Sequence, residues 1–429
     1  MFEFGLSVSP VTDSSATCDD TFYWNKTPST STITSSVGPL LGDFGPVNNR
    51  NIDLVRIASG VLAADRSASR SGSLSKWNQR EISLTVEVMA VTPWNEVRAD
   101  LDSLLGFLTG DIWHLTFRRG KAAAEQVGRV GIDAERVVLL SGGADSAVGA
   151  LMSALELRES NQKHVLVSHW SSSNLSPLQT RIADEIERLA PGANADHVKV
   201  HHSRARAALS GKRYGRENST RSRSLLFIAL GLAIASVNEV PLWIPENGYA
   251  SINPPLSASR RGSLSTKTTH PKFFRDLRSI LERVGAHNDI LNPFADLTKG
   301  EMFKRVIDSI GSVEAAAFLG KTTSCSHTGA RTYGISPSVA CGVCFGCVLR
   351  RASFDASSLH DATTYLMPAN AEQRAWIEDK TVIPAMKDFL TEDFGEEQLA
   401  RLQIPSEIPL SVANDLCQRG RAELRGLAL

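Results

Sequence analysis

A chain of 429 residues is long enough for about two or three domains. Its 42% hydrophobic and 21% charged residues exclude a disordered or fibrous protein. The formal net charge is zero, which excludes a global field toward nucleic acid or an acidic membrane surface, so any basic surface must be local.

Residues 1–10 carry Glu3 and no basic cluster ahead of an apolar run, so no secretory leader is expected. Residues 1–50 are rich in Ser, Thr, Pro and Gly, and read either as a loosely ordered lead-in or as short strands with many turns. Leu54, Ile57, Val61 and Leu62 then share one helical face. Ile82, Leu84, Val86 and Val88 alternate as a half-buried strand, and Thr92-Pro93 opens a helix whose stripe is Leu101, Leu104, Leu105 and Leu108. Gly110 ends it, and Trp113, Leu115 and Phe117 alternate again. Residues 1–130 therefore predict a small α+β N-terminal module without a chemical motif.

From residue 131 the pattern changes. Residues 137–140, 164–169, 197–201 and 241–245 read as strands, and residues 146–158, 177–190 and 219–239 as the helices between them. This alternation predicts an α/β domain over residues 131–360, with a parallel sheet covered on both faces. The longest apolar run, 225–237, has about 13 residues where a bilayer span needs ~20, so it reads as a buried helix. Residues 361–429 read as a helical extension. No membrane association is expected, nucleic acid is a poor candidate partner, and a cytoplasmic location is expected.

The loop Ser141-Gly142-Gly143-Ala144-Asp145-Ser146 joins a buried strand to a helix. Glycines let backbone N–H groups approach a ligand, and the helix start adds unpaired N–H groups and a positive dipole end. The result suits an anion at the carboxyl edge of a parallel sheet. Ser141 and Ser146 can donate to phosphate oxygens; Asp145 fits if Mg²⁺ sits between it and the phosphates. The plainer reading is a tight turn with Ser and Asp as caps.

Four of the six cysteines lie between Cys325 and Cys347. Cys341, Cys344 and Cys347 recur at every third position, and Cys325 supplies a fourth thiol. Four thiolates satisfy Zn²⁺ and also suit an iron–sulfur cluster. His327 is an alternative fourth ligand. Thr298-x-x-Glu301 is a capping-box pattern. Arg204, Arg206, Lys212, Arg213, Arg216, Arg221 and Arg223 crowd together against one acid, Glu217; they read as a clamp for phosphates or an acidic partner, or as a solvated loop. Arg221 and Arg223, at a helix start, are the preferred phosphate ligands, and Glu246 at a strand end is placed for Mg²⁺ or a substrate base.

The loop sequence resembles the PP-loop of N-type ATP pyrophosphatases. Taken with the Cys knuckle, the following Leu349-Arg350 and the segment 293–303 around Lys299, residues 136–354 resemble the QueC (7-cyano-7-deazaguanine synthase) family. The additional residues 1–130 and 361–429, and a segment 244–271 unlike that of the housekeeping enzymes, make the chain more similar to the extended QueC-like proteins of anti-phage defence, the QatC-like proteins of Qat systems. The resemblance implies a PP-loop adenine nucleotide alpha-hydrolase-like, Rossmann-like sheet with a zinc knuckle, and ATP, Mg²⁺ and Zn²⁺ as cofactors. It implies an ATP site of Leu139, Leu140, Ser141, Gly142, Gly143, Ala144, Asp145 and Ser146 with Arg221, Arg223 and Glu246. Asp145 and Lys299 become the expected catalytic groups, and Cys325, Cys341, Cys344 and Cys347 the zinc ligands. The implied activity is a C–N ligase that adenylates a carboxylate, 7-carboxy-7-deazaguanine, and passes it to an amine such as the amino terminus of a protein partner from the same operon. The alternatives are a housekeeping-type synthase using ammonia and a non-catalytic ATP-binding subunit of a defence complex.

Overall fold

The structure, a computed structural model, describes residues 1–11, 18–70, 79–128, 133–170, 175–218, 220–254, 267–326, 333–336, 338–379 and 382–427. The Ser/Thr-rich start forms short strands: β1 (Phe2–Ser7), β2 (Thr21–Tyr23) and β3 (Ile33–Ser35). Helix α1 (Asn49–Ser67) follows, with Asn48 as its cap accepting from the Arg50 N–H. Then come β4 (Glu81–Val88), α2 (Val91–Glu96), α3 (Arg98–Thr109) and β5 (Ile112–Arg119). Gly110 terminates α3 at φ +77, a left-handed turn that glycine adopts without a Cβ penalty.

Four of these strands make a sheet in the order β2-β1-β4-β5, and every pair in it is parallel. The N-terminal module is thus α/β, not the α+β arrangement expected from its pattern. Alternation marks a strand but not its direction; here α1 lies ahead of β4 and α3 ahead of β5, and each returns the chain the same way up.

The second sheet is built from β6 (Arg136–Leu139), α4 (Ala144–Glu159), β7 (His164–Trp170), α5 (Leu175–Leu189), β8 (Asn194–Arg204), α6 (Arg223–Asn238), β9 (Leu242–Trp243), α7 (Gly248–Ile252), α8 (Pro271–Val284) and β10 (Ile290–Leu291). Its order is β10-β9-β6-β7-β8-β3. The pairs are parallel except the last, where β3 of the N-terminal module runs antiparallel to β8 with Ile33 opposite Arg204. Val138, Leu140 and Leu166 face α4 and α5. Val137, Leu139, Val165 and Val167 face the other way, into a core that runs through α6 and α1 to the first sheet. The expected division near residue 130 falls between β5 and β6, where residues 120–128 and 133–135 form no helix or strand and residues 129–132 lie outside those described.

The chain continues through α9 (Lys299–Ile310), α10 (Ser312–Gly320) and α11 (Phe345–Ala356), and then α12 (Ala371–Glu378), α13 (Val382–Thr391), α14 (Glu396–Ala400) and α15 (Leu410–Gly426). The helical extension folds back onto the sheet domain: Leu416 and Leu424 of α15 share a core with Val348 and Leu349 of α11 and Tyr249 of α7. No described helix is long and apolar enough to cross a membrane.

Candidate functional site

The strand sequence β6-β7-β8 steps outward in one direction and β9-β10 lies on the other side of β6. The carboxyl end of β6 is therefore a point where the strand order reverses, the usual place for a crevice in an open parallel sheet. The loop 141–146 leaves β6 there. Gly142 sits at φ +95, and a Cβ on it would lie 3.1 Å from Leu178, so both conformation and space call for glycine. Gly143 is the N-cap of α4. Two hydroxyls hold the turn: Ser146 Oγ accepts the Ser141 N–H (3.1 Å), donates to the Gly143 carbonyl (3.0 Å) and lies 2.9 Å from Ser141 Oγ. The serines expected to serve phosphate thus bond each other and the loop backbone here. Leu139 and Leu140 are buried strand residues beneath the loop, and Ala144 packs into the core.

Asp145, in the first turn of α4, meets residues from the neighbouring strand ends. Lys299 Nζ lies 2.5 Å from its Oδ2. Asn247 Nδ2 donates to its Oδ1 (3.1 Å) and also approaches Glu246 Oε1 at 3.3 Å. Glu246 and Asn247 follow β9; Asn292 follows β10 and donates to the Glu246 carbonyl at 2.8 Å. So β6, β9 and β10 each deliver a polar residue to one spot. Lys299 is the first residue of α9, held by the expected capping box: Thr298 Oγ1 accepts the Glu301 N–H at 3.2 Å, and Glu301 Oε2 accepts the Thr298 N–H at 2.8 Å. Glu423 of α15 adds a carboxylate to that helix start, accepting the Gly300 N–H (3.1 Å) and the Thr298 hydroxyl.

Burial is the main influence on the Glu246 carboxyl, and with Asp145 alongside it pushes the pKa up to about 8 against the pull of Lys299. Asn247 Nδ2 faces both the Glu246 and the Asp145 carboxyl groups. Two carboxylates this close need a proton or a cation between them. Oxygen donors of this kind suit a hard divalent ion such as Mg²⁺.

The cysteines also converge. The Sγ atoms of Cys325, Cys341, Cys344 and Cys347 all lie within 4.8 Å of one another, so together they could hold a metal ion such as zinc. Gly342 at φ +79 makes the turn between the first two knuckle thiols, and Cys344 is the N-cap of α11. The Cys341 N–H points at Cys325 Sγ and the Cys344 N–H at Cys341 Sγ, both at 3.3 Å, the backbone support that thiolate ligands require. The knuckle touches the loop: Thr323, just before Cys325, donates its N–H to the Gly142 carbonyl at 3.1 Å. Arg350 of α11 is buried and fastens the same segment, donating to Thr322 Oγ1 at 2.8 Å. His327 lies outside the described residues, as do residues 255–266 of the segment 244–271.

The two arginines expected on the phosphates sit elsewhere. Arg221 donates to the Thr109 carbonyl at 2.8 Å, and Arg223 lines a cavity beside His169 and Arg204. Neither bonds the loop 141–146. Asn247, Asn292, Thr323 and Glu423 were not singled out as site residues. Only the strand-end position of Asn247 and Asn292 signalled them; Thr323 and Glu423 reach the site through long-range packing. No protein-family model, no curated protein and no solved structure matches the chain.

Proposed function

We propose that the protein is an ATP-dependent C–N ligase of the QueC-like kind. The observation that carries this reading is the meeting of Asp145, Glu246, Asn247 and Lys299 at the end of the loop 141–146, at the point where the strand order reverses. In this reading the loop and the start of α4 would hold the ATP phosphates, and Asp145 and Glu246 would hold Mg²⁺, Glu246 giving up its proton to do so. Lys299 then turns from Asp145 to the charge that develops on departing pyrophosphate. A carboxylate, proposed to be that of 7-carboxy-7-deazaguanine, attacks the α phosphorus; an acyl adenylate forms and pyrophosphate leaves. An amine displaces AMP to give an amide. The chemistry is positioning and charge neutralisation, which fits a site in which the described residues form no nucleophile–base pair. Zn²⁺ held by the four cysteines would have a structural part, since four thiolates would leave no open position and the knuckle braces Gly142 through Thr323.

The additional N-terminal and C-terminal modules favour a macromolecular amine, the amino terminus of a partner protein encoded alongside in a defence operon. The test is ATP–pyrophosphate exchange with 7-carboxy-7-deazaguanine, followed by mass spectrometry of the partner. Exchange dependent on the deazaguanine and a partner heavier by its acyl group are expected. A nitrile formed efficiently from ammonia with no modified protein points to the housekeeping reaction instead, and no exchange with any carboxylate overturns the ligase reading.

A further inference from the structure

A cavity of about 200 Å³ opens where the N-terminal module meets the sheet domain. Arg66 comes from the last turn of α1, His169 from the end of β7, Arg204 from the end of β8, Arg216 and Glu217 from the following loop, and Arg223 from the first turn of α6. Four arginines thus line one space, and among the described residues no carboxylate forms an ion pair with any of the four. Charged residues nearby are treated differently: Arg80 is locked between Asp65 and Asp111, and Arg70 also reaches Asp111. The one acid of the lining, Glu217, accepts the Arg70 N–H at 2.8 Å.

Arg204 is fixed in place. Its guanidinium lies over the Tyr214 ring at 4.9 Å and donates to the carbonyls of Ala205 (2.6 Å) and Gly215 (3.2 Å), while its buried Nε has no partner. Mutual repulsion registers in the group as a whole. After burial, Arg66 is the next influence holding down Arg204, which falls to about 10, and it also lowers Arg223; Arg66 is lowered by burial and by Arg216 against the help of Asp65. The positive end of α6 starts at the same place. An uncompensated cluster of this kind destabilises the empty protein and is relieved by an anion.

We infer that this cavity binds a multiply charged phosphate group, pyrophosphate or the polyphosphate arm of a nucleotide, at a site distinct in its residues from the loop 141–146. Guanidinium forks match the geometry of phosphate oxygens, and Arg66 of the N-terminal module supplies one of the four. The inference does not rest on the adenylation reading, because the residues that build the two sites differ and each can be removed alone.

Calorimetric titration and thermal unfolding of the full chain with inorganic pyrophosphate test it. The double variant Arg66→Gln/Arg216→Gln should bind pyrophosphate at least about tenfold more weakly at one site, while its unliganded melting temperature stays level or rises. Ser146→Ala, in the loop, should leave that site intact. Pyrophosphate binding unchanged by the double substitution overturns the inference, and so does an unliganded melting temperature lowered by the substitutions, which would make the arginines structural. A crystal of the wild-type chain soaked in tungstate gives an independent reading: the anion is expected between Arg66, Arg204 and Arg223, and an anion at the loop with none in the cavity overturns the proposal.

Discussion

Asp65, in the last turn of α1, accepts the Ser222 N–H at 3.1 Å, the Ser222 hydroxyl at 2.7 Å and the Arg221 N–H at 2.9 Å. A carboxylate of the N-terminal module therefore caps the start of α6, while its other oxygen pairs with Arg80. Both Asp65 and Arg80 are fully buried. Asp65→Ala leaves Arg80 with one acid fewer and α6 without its cap, and should cost about 3–5 kcal/mol in urea unfolding. A loss no larger than that of an exposed substitution would mean the two modules are stable without this link.

Acid should unfold the protein through carboxylates of the same module. Burial pushes Asp111 and Glu87 up, but bonds from Arg80 and Arg70 to the first, and from Val8, Ser9 and Ser7 to the second, together outweigh it and hold both below their ordinary values. A depressed carboxyl stabilises above its unfolded pKa, and that contribution is lost as pH falls through the folded value. Denaturant midpoints should therefore fall below about pH 4, the unfolded carboxylate range. Glu87→Gln should be weaker at neutral pH and show a shallower acid slope.

Glu246 works in the opposite sense. Its raised pKa means that the folded state holds a proton the unfolded chain has released, so its contribution to stability declines as pH rises from the ordinary carboxylate range toward about 8. Mg²⁺ should bind more tightly across the same window and release about one proton per ion. Calorimetry in buffers of different ionisation enthalpy counts that proton. Glu246→Gln should abolish both the proton release and the Mg²⁺ dependence of ATP–pyrophosphate exchange.

Lys299 is 5% exposed and Asp145 14%, so their ion pair is largely desolvated. Lys299→Met leaves two carboxylates facing one another and should reduce exchange by about 10²–10³-fold, mostly in kcat, as expected for a group that meets charge only in the transition state. A change confined to KM for ATP would restrict Lys299 to ground-state binding.

Metal analysis of the purified chain should give one ion per molecule on the four cysteines, with zinc expected. Cys347→Ser should lose it, and chelation should lower the melting temperature while exchange falls with it, because Thr323 and Gly142 are joined next to the knuckle.

Much of the sheet domain was legible in the sequence, because strand and helix periodicities are local. The strand at 137–140, the loop after it and the Thr298–Glu301 capping box could be read from neighbouring residues alone. The Lys299–Asp145 pair could not: it joins residues 154 apart through the side-by-side placement of β6, β9 and β10. Arg221 was misleading for a related reason. A basic residue at a helix start suits phosphate, but the sequence does not reveal that the Thr109 carbonyl lies within its reach. The parallel course of the N-terminal strands also escaped, since alternation carries no direction.

Strand β3 leaves its own module to pair with β8, Ser35 against His202. Without it the carboxyl end of β8, residues 202–204, would present unpaired N–H and C=O groups to any passing strand. A shortened chain beginning at residue 131 would therefore be prone to stack with copies of itself. Efforts to express the sheet domain alone should carry residues 33–35 along as a tethered strand.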